Sequence, residues 1–147
     1  MLVELALGFG FTCLTIALAV GFIIVATEVA DVLARRWAGW PEPLRDASIL
    51  TVSVIWMLVG ILLVVFSWAL LFAWLGLFED FEARVYFALV SITTVGFGDV
   101  FIAGEWRLLG GFVAADGFII FGLDTAALFE ILRQLRTSEL GAPAPPP

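Results

Sequence analysis

The chain alternates long apolar stretches with short polar segments. Residues 5–27 and 47–78 contain no charged side chain, and residues 108–129 contain only two, Asp116 and Asp124. A helix needs about 20 apolar residues to cross about 30 Å of hydrocarbon, so each stretch is long enough to span a bilayer. The pattern therefore predicts three transmembrane helices.

The first apolar stretch also has the length of a secretory signal sequence. The only charge that precedes it is that of Glu4, whereas a signal sequence begins with a basic segment and ends at a small-residue cleavage site. We therefore expect residues 1–28 to form a retained transmembrane helix.

The polar segments between these stretches differ in kind. Residues 29–46 combine charges with Trp37 and Trp40, a mixture typical of a membrane interface, and are predicted to be an interfacial connection. Residues 83–107 are too interrupted to cross as a helix, yet residues 85–93 are apolar. Irregular backbone at membrane depth is tolerated only inside protein or along a water-filled cavity, so this segment is predicted to be a re-entrant loop.

Composition narrows the class of protein further. Hydrophobic residues make up 63% of the chain and charged residues 14%, which is typical of an integral membrane protein. The net charge of −7 argues against nucleic acid as a partner, and the absence of His excludes Ser-His-Asp and Cys-His catalysis. Cys13, the one cysteine, allows no intrachain disulfide. We expect neither an enzyme nor a cofactor.

Basic residues predict the orientation, because they are retained on the cytoplasmic side of a membrane. Arginines precede the second apolar stretch and follow the third. The sequence thus predicts a multi-pass protein of the cell membrane with its N-terminus outside and its C-terminus in the cytoplasm. The arginines expected inside are Arg35, Arg36, Arg45, Arg133 and Arg136.

Residues 93–99, Thr-Thr-Val-Gly-Phe-Gly-Asp, are the most informative segment. A monovalent cation that loses its water needs oxygens on all sides, and backbone carbonyls supply them only if successive residues alternate in hand. Glycine accepts a positive φ without a Cβ penalty, so Gly96 and Gly98 fit such a loop. A glycine-containing turn between two helices is the alternative for Gly-Phe-Gly alone.

The segment resembles the pore of a known family. Residues 91–99 are similar to the pore-helix end and selectivity filter of tetrameric potassium channels. Residues 117–128, Gly-Phe-Ile-Ile-Phe-Gly-Leu-Asp-Thr-Ala-Ala-Leu, resemble the inner helix of the small bacterial two-transmembrane type. The resemblance covers about residues 47–132, so residues 1–28 would be an additional N-terminal helix.

The resemblance implies a fold and a set of roles. The fold would be an all-α membrane protein with three transmembrane helices, a re-entrant pore helix and a selectivity-filter loop, assembled as a homotetramer around K⁺ in membrane lipid. The implied site residues are Thr94, Val95, Gly96, Phe97 and Gly98 in the filter, the first four binding K⁺; Thr93 and Asp99 in support; Gly117 as a gating hinge; and Phe118, Phe121, Thr125 and Phe129 lining the pore. Close helix packing by a small residue is the alternative for Gly117.

Two positions depart from the family pattern. Phe97 stands where the family most often has Tyr, so a hydrogen bond behind the filter is lost. Val90 stands where some small members have a Glu that pairs with the residue matching Asp99. Asp99 is therefore expected to need another partner or water.

The two carboxyl groups of the third stretch, Asp116 and Asp124, cost free energy in a membrane unless water or a partner contacts them. We expect Asp124 at a subunit boundary near the cavity, where it adds negative potential. Asp116 is expected to be hydrogen-bonded, or protonated, against the first or second helix.

The predicted segments are residues 1–28, an N-terminal helix; 29–46, the connection; 47–78, an outer helix; 83–93, a pore helix; 94–99, the filter; 108–132, an inner helix; and 133–147, a cytoplasmic Pro-rich tail. We expect a potassium-selective channel without a voltage sensor. A non-selective monovalent cation channel and an accessory subunit of another channel are the alternatives.

Overall fold

The computed structural model describes residues 1–140, and the regular secondary structure in that range is helical. Three long helices and one short helix follow one another in the chain. They are α1, Leu2–Arg36; α2, Glu42–Trp74; α3, Phe81–Ile92; and α4, Leu108–Leu140, with a single 3-10 turn at Gly104–Trp106. No strand occurs within the described part of the chain.

The long helices contain the three predicted crossings. Leu2–Arg36, Glu42–Trp74 and Gly104–Thr137 are each long and apolar enough to span a bilayer. Their side chains present many large apolar groups at the surface of the chain, as expected where the surroundings are lipid or another subunit. The prediction of a multi-pass membrane protein is thereby supported.

The helix bounds differ from those predicted from charge alone. α1 continues past residue 28 to Arg36, and α2 already begins at Glu42. The residues between the two helices are 37–41, and the rest of the predicted connection, residues 29–46, is helical. A charged side chain ends the apolar surface of a helix but not its backbone hydrogen bonds, because Arg and Glu are good helix formers.

The far end of α2 lies at Trp74, earlier than the predicted residue 78. Gly76 adopts φ +67°. The Gly76 N–H donates to the Ala73 carbonyl at 3.1 Å, and the Leu77 N–H donates to the Phe72 carbonyl at 3.1 Å. These two bonds form a Schellman motif, which terminates the helix although the apolar sequence continues.

α4 runs beyond the predicted end at residue 132 and reaches Leu140. The first part of the predicted cytoplasmic tail is thus helical. Its Pro-rich part, residues 141–147, lies outside the described residues.

α1 lies parallel to α4 and antiparallel to α2. Glu4, at the start of α1, contacts Leu108 at the start of α4, and Ala30 shares a buried cluster with Ile131 near their other ends. Trp68, late in α2, contacts the first third of α4. α3 packs between α2 and α4 at the end of the bundle where α4 begins, which we call the α3 end.

Two apolar clusters stabilise this arrangement. The larger lies at the α3 end, around Trp68, Phe72, Leu109 and Val113. Phe72 and Phe87 meet edge to face there, with ring centroids 5.5 Å apart, a favourable aromatic geometry. The smaller cluster joins the opposite ends of the long helices through Ala26, Ala30, Ile49, Met57, Ala127 and Ile131.

Candidate functional site

The loop after α3 is held against the last turn of that helix. The Thr93 N–H donates to the Leu89 carbonyl at 3.0 Å, and the Thr94 N–H to the Ser91 carbonyl at 2.9 Å. Further along, the Gly96 N–H donates to the Val90 carbonyl at 3.3 Å. These bonds use carbonyls that a helix end leaves without partners, and they determine where the loop begins.

Alternate residues of the loop have left-handed backbone. Thr94, Gly96 and Gly98 have φ of +57°, +56° and +77°. The two glycines therefore have the conformation that their spacing predicts. Thr94 has it as well, although a Cβ makes this conformation cost about 1–2 kcal/mol. Only the two glycines were predicted to have it, although the same alternation extended backward by two residues reaches Thr94.

The loop lies open on one side of the chain. The Val95 and Phe97 side chains are 54% and 71% exposed. The loop borders an open depression of about 780 Å³. The lining includes Tyr86, Val90, Thr94, Gly96, Gly110 and Gly111, so α3 and the start of α4 form its walls.

Asp99, at the end of the loop, has a hydrogen-bond partner that was not predicted. The Tyr86 hydroxyl donates a hydrogen bond to Asp99 Oδ2 at 2.8 Å. This bond raises the pKa of the Tyr86 hydroxyl, because it stabilises the protonated phenol. Tyr86 precedes Val90 by one helical turn, on the face of α3 that borders the loop. That spacing was the available signal.

The link between α2 and α3 is fastened by Arg84. Its Nη2 donates to the Phe78 carbonyl at 2.7 Å and to the Glu79 carbonyl at 2.9 Å, and its Nε donates to the Phe78 carbonyl at 3.0 Å. Arg84 thus holds the start of α3 in place and is not only a surface charge.

Gly117 lies directly against the end of α3. A Cβ at Gly117 would overlap the Ile92 carbonyl oxygen and lie 2.7 Å from the carbonyl carbon. Ile92 is the last residue of α3, two residues before Thr94. Only glycine therefore allows α4 to approach the base of the loop this closely.

The four predicted pore-lining residues share the exposed side of α4. Phe118 and Phe129 are 76% and 68% exposed, and Phe121 is 37% exposed. Thr125 is exposed too, and its hydroxyl donates to the Phe121 carbonyl at 2.7 Å. These residues lie on the side of α4 that α1 and α2 leave uncovered.

Comparison with protein families now identifies the chain. The family model described as "Ion channel" matches residues 61–134, which is half of the chain and contains α3, the loop and most of α4. This chain belongs to the ion channel family. Searches of curated proteins and of solved structures find no match.

Membership implies that the protein is a channel and not an enzyme. Within this channel, the matched region begins inside α2 and excludes α1. The first helix therefore lies outside the matched region.

The contacts of α1 include a fully buried carboxyl group. Asp116 has no exposed surface. Its Oδ2 accepts hydrogen bonds from the Thr15 hydroxyl and from the Trp68 Nε1–H, both at 2.7 Å. The prediction that Asp116 is hydrogen-bonded against the first or second helix is confirmed, and both helices take part.

Proposed function

We propose that the channel is a potassium-selective pore that conducts K⁺ passively, with residues 94–98 as its filter. The observation that carries the proposal is the left-handed backbone at Thr94, Gly96 and Gly98. Alternation in hand is what a strand needs in order to offer successive carbonyls to one ion path. A simple turn between two helices does not need a positive φ at three alternate residues.

The proposed ion ligands are the carbonyl oxygens of Thr94, Val95, Gly96 and Phe97, with the Thr94 hydroxyl at the innermost site. These oxygens replace the water around a dehydrated K⁺. Gly98 ends the filter. Thr93, which caps α3, and Asp99, which Tyr86 holds, support its two ends.

α3 takes the role of a re-entrant pore helix in this proposal. Its C-terminus leads directly into the loop, and the C-terminus of a helix carries partial negative charge. A cation below Thr94 is therefore favoured electrostatically by α3. Segments of this kind, with their ends at membrane depth, are tolerated where protein and water surround them.

The exposed loop supports assembly as a homotetramer. One chain offers one filter strand, whereas a K⁺ ion needs oxygens on all sides, and fourfold rotation closes such a ring. The uncovered aromatic side chains of the loop and of α4, together with the depression next to Gly110 and Gly111, supply surfaces that neighbouring chains would cover. Phe118, Phe121, Thr125 and Phe129 would then face the cavity or its neighbours.

We place Gly117 as the hinge of α4, with the additional requirement that it pack on Ile92. We also place Asp124 at a subunit boundary near the cavity. In the single chain the Asp124 side chain is half-buried, as expected for a group that a neighbouring subunit and water share.

We also infer from the arginine pattern that the C-terminal end of α4 lies in the cytoplasm and the start of α1 outside. The α3 end would then face outward in the cell membrane. Residues 79–107 contain more acidic than basic side chains, so this end would concentrate cations, and less strongly at high salt.

The proposal is tested by flux through the purified channel in liposomes with a K⁺ or a Na⁺ gradient. We expect K⁺ flux well above Na⁺ flux. Gly96→Ala should abolish the difference, because Gly96 has φ +56°. Gly21→Ala is the matched control, since Gly21 lies within α1 and a Cβ there meets nothing within 4 Å.

Each other outcome contradicts one part of the proposal. Equal flux of the two ions indicates a non-selective cation channel. No flux from the chain alone, with flux restored by a second channel protein, indicates an accessory subunit. Selective flux that survives Gly96→Ala refutes the filter assignment.

A further inference from the structure

α1 contacts α4 at matched positions along both helices. Glu4 Oε1 accepts a hydrogen bond from the Leu108 N–H at 2.6 Å, although Glu4 is only 4% exposed. It thereby caps an N–H group that the start of α4 leaves free. One turn later the Phe112 ring fills the space above Gly8, where a Cβ would overlap it. The start of α1 thus contacts the start of α4 both through a hydrogen bond and through close packing.

The polar centre of this contact is Asp116. The Thr15 hydroxyl lies 3.0 Å from the Phe11 and Thr12 carbonyl oxygens and 2.7 Å from Asp116 Oδ2. A hydroxyl has one proton, and the shortest of these three contacts is to the carboxyl. Trp68 donates to the same oxygen from α2. Asp116 therefore joins α1, α2 and α4 at one point, which we call the Asp116 junction.

Because the Asp116 junction is buried, it restricts how α4 can be placed against the other two helices. Thr15, Trp68 and Asp116 are 1%, 0% and 0% exposed. Moving the carboxyl away from its two donors would leave polar groups buried without partners, which costs far more than losing an exposed hydrogen bond. The junction thus specifies one rotation and one depth of α4 relative to the other two helices.

The next residue connects the junction to the filter. Successive residues of a helix point about 100° apart, so when Asp116 faces α1 and α2, Gly117 faces α3. Gly117 contacts the Ile92 carbonyl at the last residue of α3. Any rotation or retreat of α4 that releases Asp116 also removes Gly117 from the base of the loop.

We propose that Asp116 is a positioning residue for the ion filter and that α1 acts as a strut. By holding Asp116 together with Trp68, α1 keeps Gly117 seated on Ile92 and so keeps Thr93 and Thr94 in the geometry that conducts. The inference rests on the proposed function, because it needs residues 94–98 to be the filter. It assigns a role in selectivity to residues that lie outside the ion path.

The test uses a matched pair on one face of α1. Thr15→Val removes the hydroxyl that reaches Asp116 and keeps the shape of the side chain. Thr12→Val makes the same chemical change one turn earlier, where the buried Oγ1 has no partner among the described residues. Thr15→Ser restores the hydroxyl. The readout is the K⁺/Na⁺ permeability ratio of the reconstituted full-length channel, measured from reversal potentials in planar bilayers.

One lost hydrogen bond to a carboxyl group shifts the position of α4 against α3 by about tenfold in equilibrium constant. We therefore expect Thr15→Val to lower the permeability ratio, by up to about tenfold. Thr12→Val and Thr15→Ser should keep the wild-type ratio. Trp68→Phe, which removes the second donor and keeps an aromatic ring, should lower the ratio in the same direction. A side chain that merely fills space would give the opposite order, because Val keeps the volume of Thr15 whereas Ser loses a methyl group.

The outcomes separate this inference from the proposed function. A wild-type channel that lacks selectivity refutes the filter, and with it the premise of the inference. A selective wild type whose Thr15→Val and Trp68→Phe variants keep the wild-type ratio refutes the positioning role alone. If both variants fail to assemble while Thr12→Val assembles, the junction serves assembly and not the filter, and the inference is also overturned.

Discussion

The surroundings of Asp116 and of Asp124 differ, although both carboxyls lie in the same apolar helix. Asp116 is fully buried and accepts two hydrogen bonds from two other helices. Asp124 is half-buried and makes no hydrogen bond or ion pair with the described residues. A carboxyl in a membrane helix costs free energy unless a partner or water compensates for it. Asp116 Oδ2 has its partners within the chain, although Oδ1 is buried with none among the described residues. Asp124 requires water or another subunit.

This contrast divides α4 into two parts. The part around Asp116 packs against three other helices, through Asp116 on α1 and α2 and through Gly117 on Ile92 of α3. The part around Asp124 is open, and a Cβ at Gly122 meets nothing within 4 Å. We therefore expect substitutions in the first part to disturb packing and those in the second part to disturb ion passage.

The largest effect is expected when a methyl group is added at Gly117, which packs against the end of α3. Gly117→Ala would push the Ile92 carbonyl away, and overpacking against backbone costs about 3 kcal/mol, the upper end of the usual range. We expect this variant to lose selective K⁺ flux in liposomes. Gly122→Ala, in the open part of the same helix, should retain it. Equal loss in both variants would show that the two parts do not differ in packing.

A smaller effect is expected from removing the buried carboxyl. Asp116→Leu leaves the Trp68 Nε1–H without its acceptor, while the Thr15 hydroxyl can turn to the Phe11 carbonyl 3.0 Å away. One buried donor without a partner costs about 1–3 kcal/mol. The measurement is the temperature at which the detergent-solubilised assembly dissociates. Asp124→Leu should lower that temperature less, and the reverse order would contradict the comparison.

The smallest effect is expected from neutralising the open carboxyl. Asp124→Asn removes negative charge next to the proposed cavity and should reduce single-channel K⁺ conductance by about twofold at low salt. The reduction should shrink as ionic strength rises, since salt screens such charges over about 10 Å at 0.1 M. Unchanged conductance at every salt concentration would show that Asp124 does not lie near the ion path.

The apolar pattern was sufficient to predict the three long helices and the loop between the last two. The backbone of a long apolar stretch must make its hydrogen bonds within the chain when lipid surrounds it. The length of such a stretch therefore predicts a spanning helix. The helix ends were predicted less well. The α2 end at Trp74 depends on the positive φ of Gly76, and hydropathy does not report backbone conformation.

The partners of the candidate site were harder to predict than its position. The loop was located from Gly96 and Gly98, because few other backbone conformations need glycine at alternate positions. The Tyr86–Asp99 hydrogen bond joins α3 to the loop, and the spacing of Tyr86 and Val90 indicates only the face of α3 from which it comes. Glu4 and Leu108 are brought together only because α1 and α4 run parallel.

The sequence by itself determined that this chain is a membrane protein with three spanning helices, and it located the loop that resembles a filter. Those conclusions follow from local properties, namely apolar length and glycine spacing. Only the tertiary structure decided that Thr15 and Trp68 meet at Asp116 and that Gly117 lies on Ile92. The direction in which a buried side chain points depends on the rotation of each helix against its neighbours, and that rotation is a property of the packed bundle.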